Sequence, residues 1–360
     1  MKIKRREARV VKIGSVSIGG NHPVIIQSMV KVKTAESERA IAEIKLLQAA
    51  GCEVARLAVK DQEDAAAIKK IRAKTKIPLV ADIHFDYRLA LRAIESGADK
   101  IRLNPGNIYR GEEVREVAAA AKSARIPIRV GVNSGSLRAS LRAGKSQAEI
   151  MVKAALGYVK MLEGFKFYDI VLSLKASTVI ETIAAYREIA KLCDYPLHLG
   201  VTATGLPKQG MIKSSIACGV LLSEGIGDTL RISLTGSPQE EVAAAKSILS
   251  ALELRSFGPE IISCPTCGRC EVDLIKIVGD LESRLASLTG KPANRQTGKP
   301  IKVAVMGCVV NGPGEAREAD LGIAFGGKDG LFFRKGKPVG KVACSSCADY
   351  LLRELRGLSG

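Results

Sequence analysis

Four cysteines in the last third of this 360-residue chain have a spacing that suits a metal: Cys264-Pro-Thr-Cys267-Gly-Arg-Cys270, and then Cys308. C-x-x-C with a further cysteine supplies thiolates for zinc or for an iron–sulfur cluster. Spacing alone nominates Cys264, Cys267 and Cys270, with Cys308 as the fourth. Cys308, however, lies in the string Gly307-Cys-Val-Val-Asn-Gly-Pro-Gly-Glu315, whose glycine-rich turn brings Glu315 back towards it. Three thiols and one carboxylate are then the donors, and oxygen is the weakest of that set, so its corner can open to a substrate. A structural zinc gains little from such a corner, whereas an iron–sulfur cluster gains a reaction site. Cys344 and Cys347 form a second C-x-x-C with no partner motif and read as incidental; Cys52, Cys193 and Cys218 read as packing residues.

A second set of reactive residues falls at the ends of β-branched runs. Arg56 closes one run, Asp82 and His84 the next, then Arg102 with Asn104. Arg129 and Asn133 follow, then Ser173 and Lys175, His198 and Thr202, and finally Arg231 and Ser233. Five cations aimed at one mouth repel one another unless a polyanion sits among them. Arg suits bidentate phosphate contacts and Lys a point charge, so the expected ligand is a small molecule with two or more phosphate charges. Asp82 reads as the one acid there, and Asp82 and His84 as acid/base or orienting groups. His198 sits in an apolar run, where a structural role is favoured.

Positioning these residues requires a particular scaffold. Strands are expected over 24–29, 54–58, 79–82, 100–103, 128–132, 170–174, 197–202 and 229–234. Helical periodicity fills the intervals, over 36–50, 61–73, 87–96, 111–124, 146–163, 178–192, 212–224 and 238–251. Eight β-α units argue for a closed (β/α)8 TIM-type barrel with its chemistry at the C-terminal ends of the strands. An open doubly wound sheet is the alternative, weakened by the lack of a glycine-rich dinucleotide fingerprint after the first strand. The chain changes character at Ser256-Phe-Gly-Pro259, so residues 1–256 are assigned to the barrel and 257–360 to a small α+β domain carrying the cysteines.

The chain is strongly basic, with 55 Lys and Arg against 37 Asp and Glu, a net charge of +18. Its 46% hydrophobic content excludes a disordered tail, and no apolar run approaches the roughly 20 residues a membrane span needs. The N-terminus lacks an apolar signal core, which points to the cytoplasm and to reduced thiols. Nucleic-acid binders usually cluster their cations and interleave aromatics; here cations are spread along the chain and aromatics are 4%. The densest cluster, residues 2–9, reads as a solvated terminus. Two rival readings stand beside a diphosphate-binding redox enzyme: a zinc-stabilised barrel acting on a phosphorylated or pterin-like substrate, and a nucleic-acid-binding module.

Several strings resemble those of the 4-hydroxy-3-methylbut-2-enyl-diphosphate synthase family. They are Cys264-Pro-Thr-Cys-Gly-Arg269, Met306-Gly-Cys-Val-Val-Asn-Gly-Pro-Gly-Glu315 and Glu224-Gly-Ile-Gly-Asp-Thr-Leu-Arg231. Further matches are Arg102-Leu-Asn-Pro-Gly-Asn107, Val130-Gly-Val-Asn133 and Leu197-His-Leu-Gly-Val-Thr202, so the likeness spans almost the whole chain. It implies a TIM-type barrel followed by a domain resembling those of sulfite and nitrite reductases and carrying a [4Fe–4S] cluster. By motif position the ligands are Cys264, Cys267, Cys308 and Glu315, which removes Cys270 from the set. The implied reaction is reductive ring opening and dehydroxylation of 2-C-methyl-D-erythritol 2,4-cyclodiphosphate in the non-mevalonate isoprenoid pathway. Reduced flavodoxin or ferredoxin supplies electrons singly, and short relatives form head-to-tail homodimers in which one subunit's cluster domain caps the other's barrel. Arg56, Arg102, Arg129, Lys175 and Arg231, with Asn133 and Ser233, are then expected to hold the diphosphate, while Glu315 gives way to the substrate.

One position departs from the family. Where relatives read Thr-Glu-Ala-Gly after the seventh strand, this chain reads Thr202-Ala-Thr-Gly205, so Ala203 replaces a glutamate thought to serve in catalysis. Asp82, Glu224 or water is left to supply the proton.

Overall fold

The computed structural model describes residues 3–136, 146–202, 204–288 and 300–358. The chain divides into two compact units, Met1–Leu254 and Arg255–Gly360.

The first unit opens with an antiparallel hairpin, β1 (Val11–Ile13) and β2 (Val16–Ile18), turned at Gly14. Eight parallel strands follow: β3 (Ile25–Met29), β4 (Val54–Val59), β5 (Leu79–Ile83), β6 (Lys100–Leu103), β7 (Ile128–Asn133), β8 (Ile170–Lys175), β9 (His198–Leu199) and β10 (Thr229–Leu230). They run in spatial order β8-β7-β6-β5-β4-β3-β10-β9, and a parallel bridge between Leu172 and Leu197 joins the two ends into a barrel. The expected closed barrel is therefore present and the open sheet is not. Helices α1 (Ser37–Ala50), α2 (Gln62–Lys74), α3 (Tyr87–Glu95), α4 (Gly111–Ala124), α5 (Gln147–Gly164), α6 (Val179–Leu192), α7 (Pro207–Ser223) and α8 (Pro238–Ala251) link successive strands or follow the last.

Local sequence explains the helix starts. Asp61 caps α2 by accepting from Asp64 N, and Thr178 caps α6 by accepting from Glu181 N. Ser146 with Glu149 and Ser237 with Glu240 form capping boxes for α5 and α8, satisfying amides that a helix start leaves free. Helix α7 begins earlier than its periodicity indicates because Pro207, pre-set for a first helical position, starts it.

The bottom of the barrel is apolar. Ile25, Val54, Val80 and Val171 pack there against Val11, Ile13 and Ile18 of the hairpin, which closes that end. The basic N-terminal segment is only partly solvated: Lys4 and Arg9 are exposed, but its arginines make specific pairs. Arg5 pairs with buried Asp228 at 2.6 Å, Arg6 donates to the carbonyls of Cys193 and Tyr195, and Arg9 pairs with Asp194 at 2.7 Å. Strands β9 and β10 are shorter than the runs 197–202 and 229–234. At Gly200, just past β9, a Cβ would meet Lys175 Nζ at 2.5 Å and Arg231 O at 2.6 Å, so the backbone leaves the ladder where cations crowd in.

The second unit is a five-stranded sheet in the order β11 (Glu260–Ser263), β12 (Lys302–Met306), β13 (Leu321–Gly326), β14 (Asp329–Arg334) and β15 (Lys337–Ala343). The first three strands are parallel and the last two antiparallel. Helices α9 (Leu274–Leu288), α10 (Gly312–Glu318) and α11 (Cys347–Leu358) complete it. Leu281, Leu321, Ile323, Phe325, Phe332 and Leu351 form its core. Strand β11 is absent from the sequence reading, since four residues beside a cysteine run carry too little periodicity. No helix among the described residues is long and apolar enough to cross a membrane.

Candidate active site

The C-terminal ends of the barrel strands surround a cavity of about 380 Å³. Arg56, Asp82, His84, Arg102, Arg129, Asn133, Lys175, Arg231 and Ser233 all line it, as do Asn104, Ser173 and Thr202. With Met29 of β3, residues on or just past the ends of all eight strands thus meet, because parallel barrel strands all end on one face.

Its cations are held in a defined order. Asp82, 5% exposed, bridges two of them: Arg102 Nη1 lies 3.1 Å from one carboxylate oxygen and Arg56 Nε 3.6 Å from the other. Arg56 also rests on the Met29 thioether, with Nη2 2.8 Å from Sδ. Arg102 Nη2 donates to Gly131 O at 3.1 Å. A Cβ on Gly131 would stand 2.5 Å from Arg102 Nε, so glycine is what lets this guanidinium lie flat against β7. Arg231 donates to Ser233 Oγ at 2.7 Å and to Glu241 Oε1 at 3.2 Å.

Asp82 is, as expected, the one acid among the residues that line the cavity; Glu241 stands behind Arg231. It reaches in from α8, is 1% exposed, and accepts from Lys31 Nζ at 3.2 Å and from the Leu234 amide at 3.0 Å. Nothing in Pro238-Gln-Glu-Glu241 distinguishes it from ordinary acids at a helix start, so sequence offered no signal. Five cations thus line the cavity with Asp82, Glu241 lying behind Arg231, and among the described residues Arg129 Nε and Nη1 and Arg231 Nε have no partner.

The electrostatics record this imbalance. Burial opposes ionisation of Asp82, but Arg56, Arg102 and Arg129 outweigh it and hold the carboxyl below its ordinary range. Burial lowers Arg56 to about 10, with Asp82 opposing and Arg231 and Arg102 assisting; it stays a cation at neutral pH. Burial, then Arg231, Arg56 and Arg129, push Lys175 well below the usual lysine range. Arg129 is depressed by burial and by Arg56 and Arg102. A bound polyanion relieves all of these at once.

His84 Nδ1 sits 3.1 Å from Val59 O, and a carbonyl only accepts, so this nitrogen carries the hydrogen. Asn107 fixes the loop by donating to His84 O at 2.7 Å. His198 is fully buried with Nδ1 2.7 Å from Thr229 Oγ1, in keeping with a structural role. Glu224 does not reach the cavity: it caps the C-terminal end of α7, at the opposite end of the barrel, and pairs with Arg187 on the surface. That removes it as the proton source considered for this chain. Ala203 lies outside the described residues.

The thiols gather at the matching end of the second unit. Cys264 follows β11 directly and Cys308 lies two residues past β12, and these strands are parallel neighbours with Ser263 opposite Val305. Gly307 N donates to Cys264 Sγ at 3.4 Å, and Glu271 N donates to Gly307 O at 2.9 Å, tying the two strings together. Backbone amides of Asn311 and Val310 lead in lowering the Cys308 thiol, aided by Gly312 and Arg269. Gly312 lets α10 start against the sheet, since a Cβ there would be 2.9 Å from Met306 Cβ. Glu315 lies in the first turn of that helix.

Cys270 is a packing residue here. Its sulfur faces Val272 O at 3.3 Å and lies 2.3 Å from where a Gly307 Cβ would be. Cys347 is buried in the core and burial raises its thiol to about 12. Among the described residues no three His, Cys, Asp or Glu side chains converge on a metal position. The donor chemistry nevertheless fits an iron–sulfur cluster: soft thiols on two strand ends, one whose thiolate the amides favour, and a carboxylate in the first turn of the helix that follows.

Fold and cavity together define a (β/α)8-barrel protein with a cation-walled pocket and a separate thiol-bearing unit. Residues 8–246 match the family model described as the GcpE TIM-barrel domain, and residues 260–357 that of the GcpE protein C-terminal domain. The chain belongs to the GcpE family. It is 51% identical over 356 residues to the 4-hydroxy-3-methylbut-2-en-1-yl diphosphate synthase (flavodoxin) of Dehalococcoides mccartyi, covering 99% of this chain and 100% of that one. It is 53% identical over 340 residues to the enzyme of the same name from Lawsonia intracellularis, covering 94% and 92%. Among solved structures, dihydropteroate synthase from Stenotrophomonas maltophilia superposes with a TM-score of 0.54 at 16% identity, over 68% of this chain and 97% of that one. That likeness concerns the barrel fold alone.

Proposed function

We infer that this chain is a 4-hydroxy-3-methylbut-2-enyl-diphosphate synthase, reducing 2-C-methyl-D-erythritol 2,4-cyclodiphosphate with loss of water. The observation that carries the substrate is the cavity itself. Its cations outnumber its carboxylates, and two guanidiniums keep donors unspent. Those are the requirements of a ligand bringing several phosphate oxygens. Nucleic acid is not favoured, since N-terminal arginines are spent on intramolecular pairs and mouth cations on an enclosed pocket.

Each residue has a task in this reading. Arg56, Arg102, Arg129, Lys175 and Arg231 bind the diphosphate, and Asn133 and Ser233 accept or donate at its edges. Asp82 and Glu241 orient their arginines while the pocket is empty. His84, with Nδ1 committed to Val59 O, is left with Nε2 to hold or pass a proton to the departing oxygen. Cys264, Cys267, Cys308 and Glu315 would hold the [4Fe–4S] cluster, which would supply two electrons one at a time. Flavodoxin is the electron donor, as the relatives' name indicates. A homodimer and a cytoplasmic location complete the reading, the latter in keeping with nine unpaired cysteines.

Anaerobic turnover tests it: reconstituted enzyme, reduced flavodoxin and the cyclodiphosphate should yield the linear diphosphate. Cluster-loaded enzyme that makes none refutes the assignment. The same assay decides whether Ala203 is compatible with turnover.

A further inference from the structure

Side chains two apart on a strand share a face, so Gln27, Lys100 and Thr229 lie one step deeper than the cavity-lining Met29, Arg102 and Arg231. Lys100 is fully buried, and its nitrogen reaches from β6 to Gln27 Oε1 on β3 at 3.3 Å. No carboxylate pairs with it among the described residues. Gln27 Nε2, Arg129 Nε and Nη1 and His198 Nε2 are also buried without partners. The charged groups acting on Lys100 are Arg129 on β7 and Arg56 on β4, both cations. His198 on β9 is close enough to feel Lys100 in turn, and Gln27 is neutral. Asp82, the nearest mouth acid, is occupied by Arg56 and Arg102. An ammonium buried among like charges is disfavoured, and Lys100 is accordingly pushed well below the usual lysine range, by burial first.

We propose that Lys100 is a proton-uptake residue for the cavity above it, a neutral amine in the empty barrel that becomes an ammonium when a diphosphate occupies the mouth. The inference rests on the diphosphate reading of that cavity. The two cations opposing a charge on Lys100 are also two that bind the ligand. A bound diphosphate brings negative charge beside them and offsets their positive field. The amine then takes a proton from a buffer acid, which is left as its conjugate base. Lys100 does not touch the ligand; it is a positioning residue that balances charge beneath it. Affinity should therefore strengthen as pH falls, between the value of Lys100 in the bound state and its lower value in the free state.

Calorimetry of the cluster-loaded enzyme without reductant, titrated with the cyclodiphosphate in two buffers of different ionisation enthalpy, counts the protons taken up. Lys175 and the ligand's own phosphates contribute equally to wild type and variant. Lys100→Met should bind with about one proton fewer than wild type and with a flatter pH dependence of affinity. Equal counts in wild type and a folded Lys100→Met overturn the proposal. If that variant does not fold, Lys100→Gln replaces it. Absence of any binding refutes the diphosphate reading, and the proposal falls with it.

Discussion

Asp82→Asn probes how the empty cavity keeps its cations together. The change preserves volume and removes the negative charge lying 3.1 Å from Arg102 Nη1 and 3.6 Å from Arg56 Nε. Breaking a buried ion pair costs about 3–5 kcal/mol, and an amide that still accepts one hydrogen bond puts the expected loss near ~3 kcal/mol. For a unit of this size each kcal/mol moves the melting temperature by about 2–4 °C, so the ligand-free variant should melt roughly 6–12 °C below wild type. The diphosphate supplies its own negative charge, so the stabilisation it brings should be larger in the variant than in wild type. Scanning calorimetry with and without the cyclodiphosphate measures both. A ligand-free loss under about 2 °C, or a smaller ligand-induced gain than wild type shows, refutes the reasoning. The acid limb carries a further sign. Asp82's folded value is depressed, so its stabilisation is complete above the ordinary carboxylate value of about 3.9 and is lost as pH falls through the lower folded value. The Asn variant should lack that part of the acid loss.

Gly131→Ala places a Cβ 2.5 Å from Arg102 Nε and must displace the guanidinium. Steady-state kinetics should show kcat/KM down by roughly 10–100-fold, the worth of a charge-assisted hydrogen bond, and scanning calorimetry a lower melting temperature, since the displaced guanidinium also leaves Asp82. Cys308→Ser should abolish the cluster's visible absorption while Cys270→Ser leaves it, since Cys270 only packs against Gly307; the reverse pattern would reassign the ligands. Glu224→Gln should leave turnover within about twofold of wild type, because an exposed ion pair is worth about 1 kcal/mol or less. A tenfold loss would return Glu224 to the site.

Much of the barrel was legible because its signals are local. β-branched runs and stretches of helical period recur eight times, five of the helices with a side-chain cap at the start, and each states its own type without reference to the rest. Strands β9 and β10 read too long because their composition stays strand-like past Gly200 and Arg231, where packing of Lys175 ends the ladder. Strand β11 went unread because its four residues form a strand only through pairing with β12, forty residues on. Glu241 was invisible for the same reason: a carboxylate in a helix's first turn is normally solvated, and only the docking of α8 against β3 and the loop after β10 buries it.

By itself the sequence determined the eight-unit barrel and the five strand-end cations, and it supplied the thiols and carboxylate proposed as cluster donors, because residue type and period are one-dimensional properties. Which charges face each other is a property of closure. Only the closed barrel brings Arg56, Arg102 and Asp82 within ion-pair distance, spends the N-terminal arginines on Asp228 and Asp194, and buries Lys100 beneath the mouth with no carboxylate paired to it among the described residues. A charge's energy depends on its burial and its neighbours, and both are set by the strands that curl round to meet it.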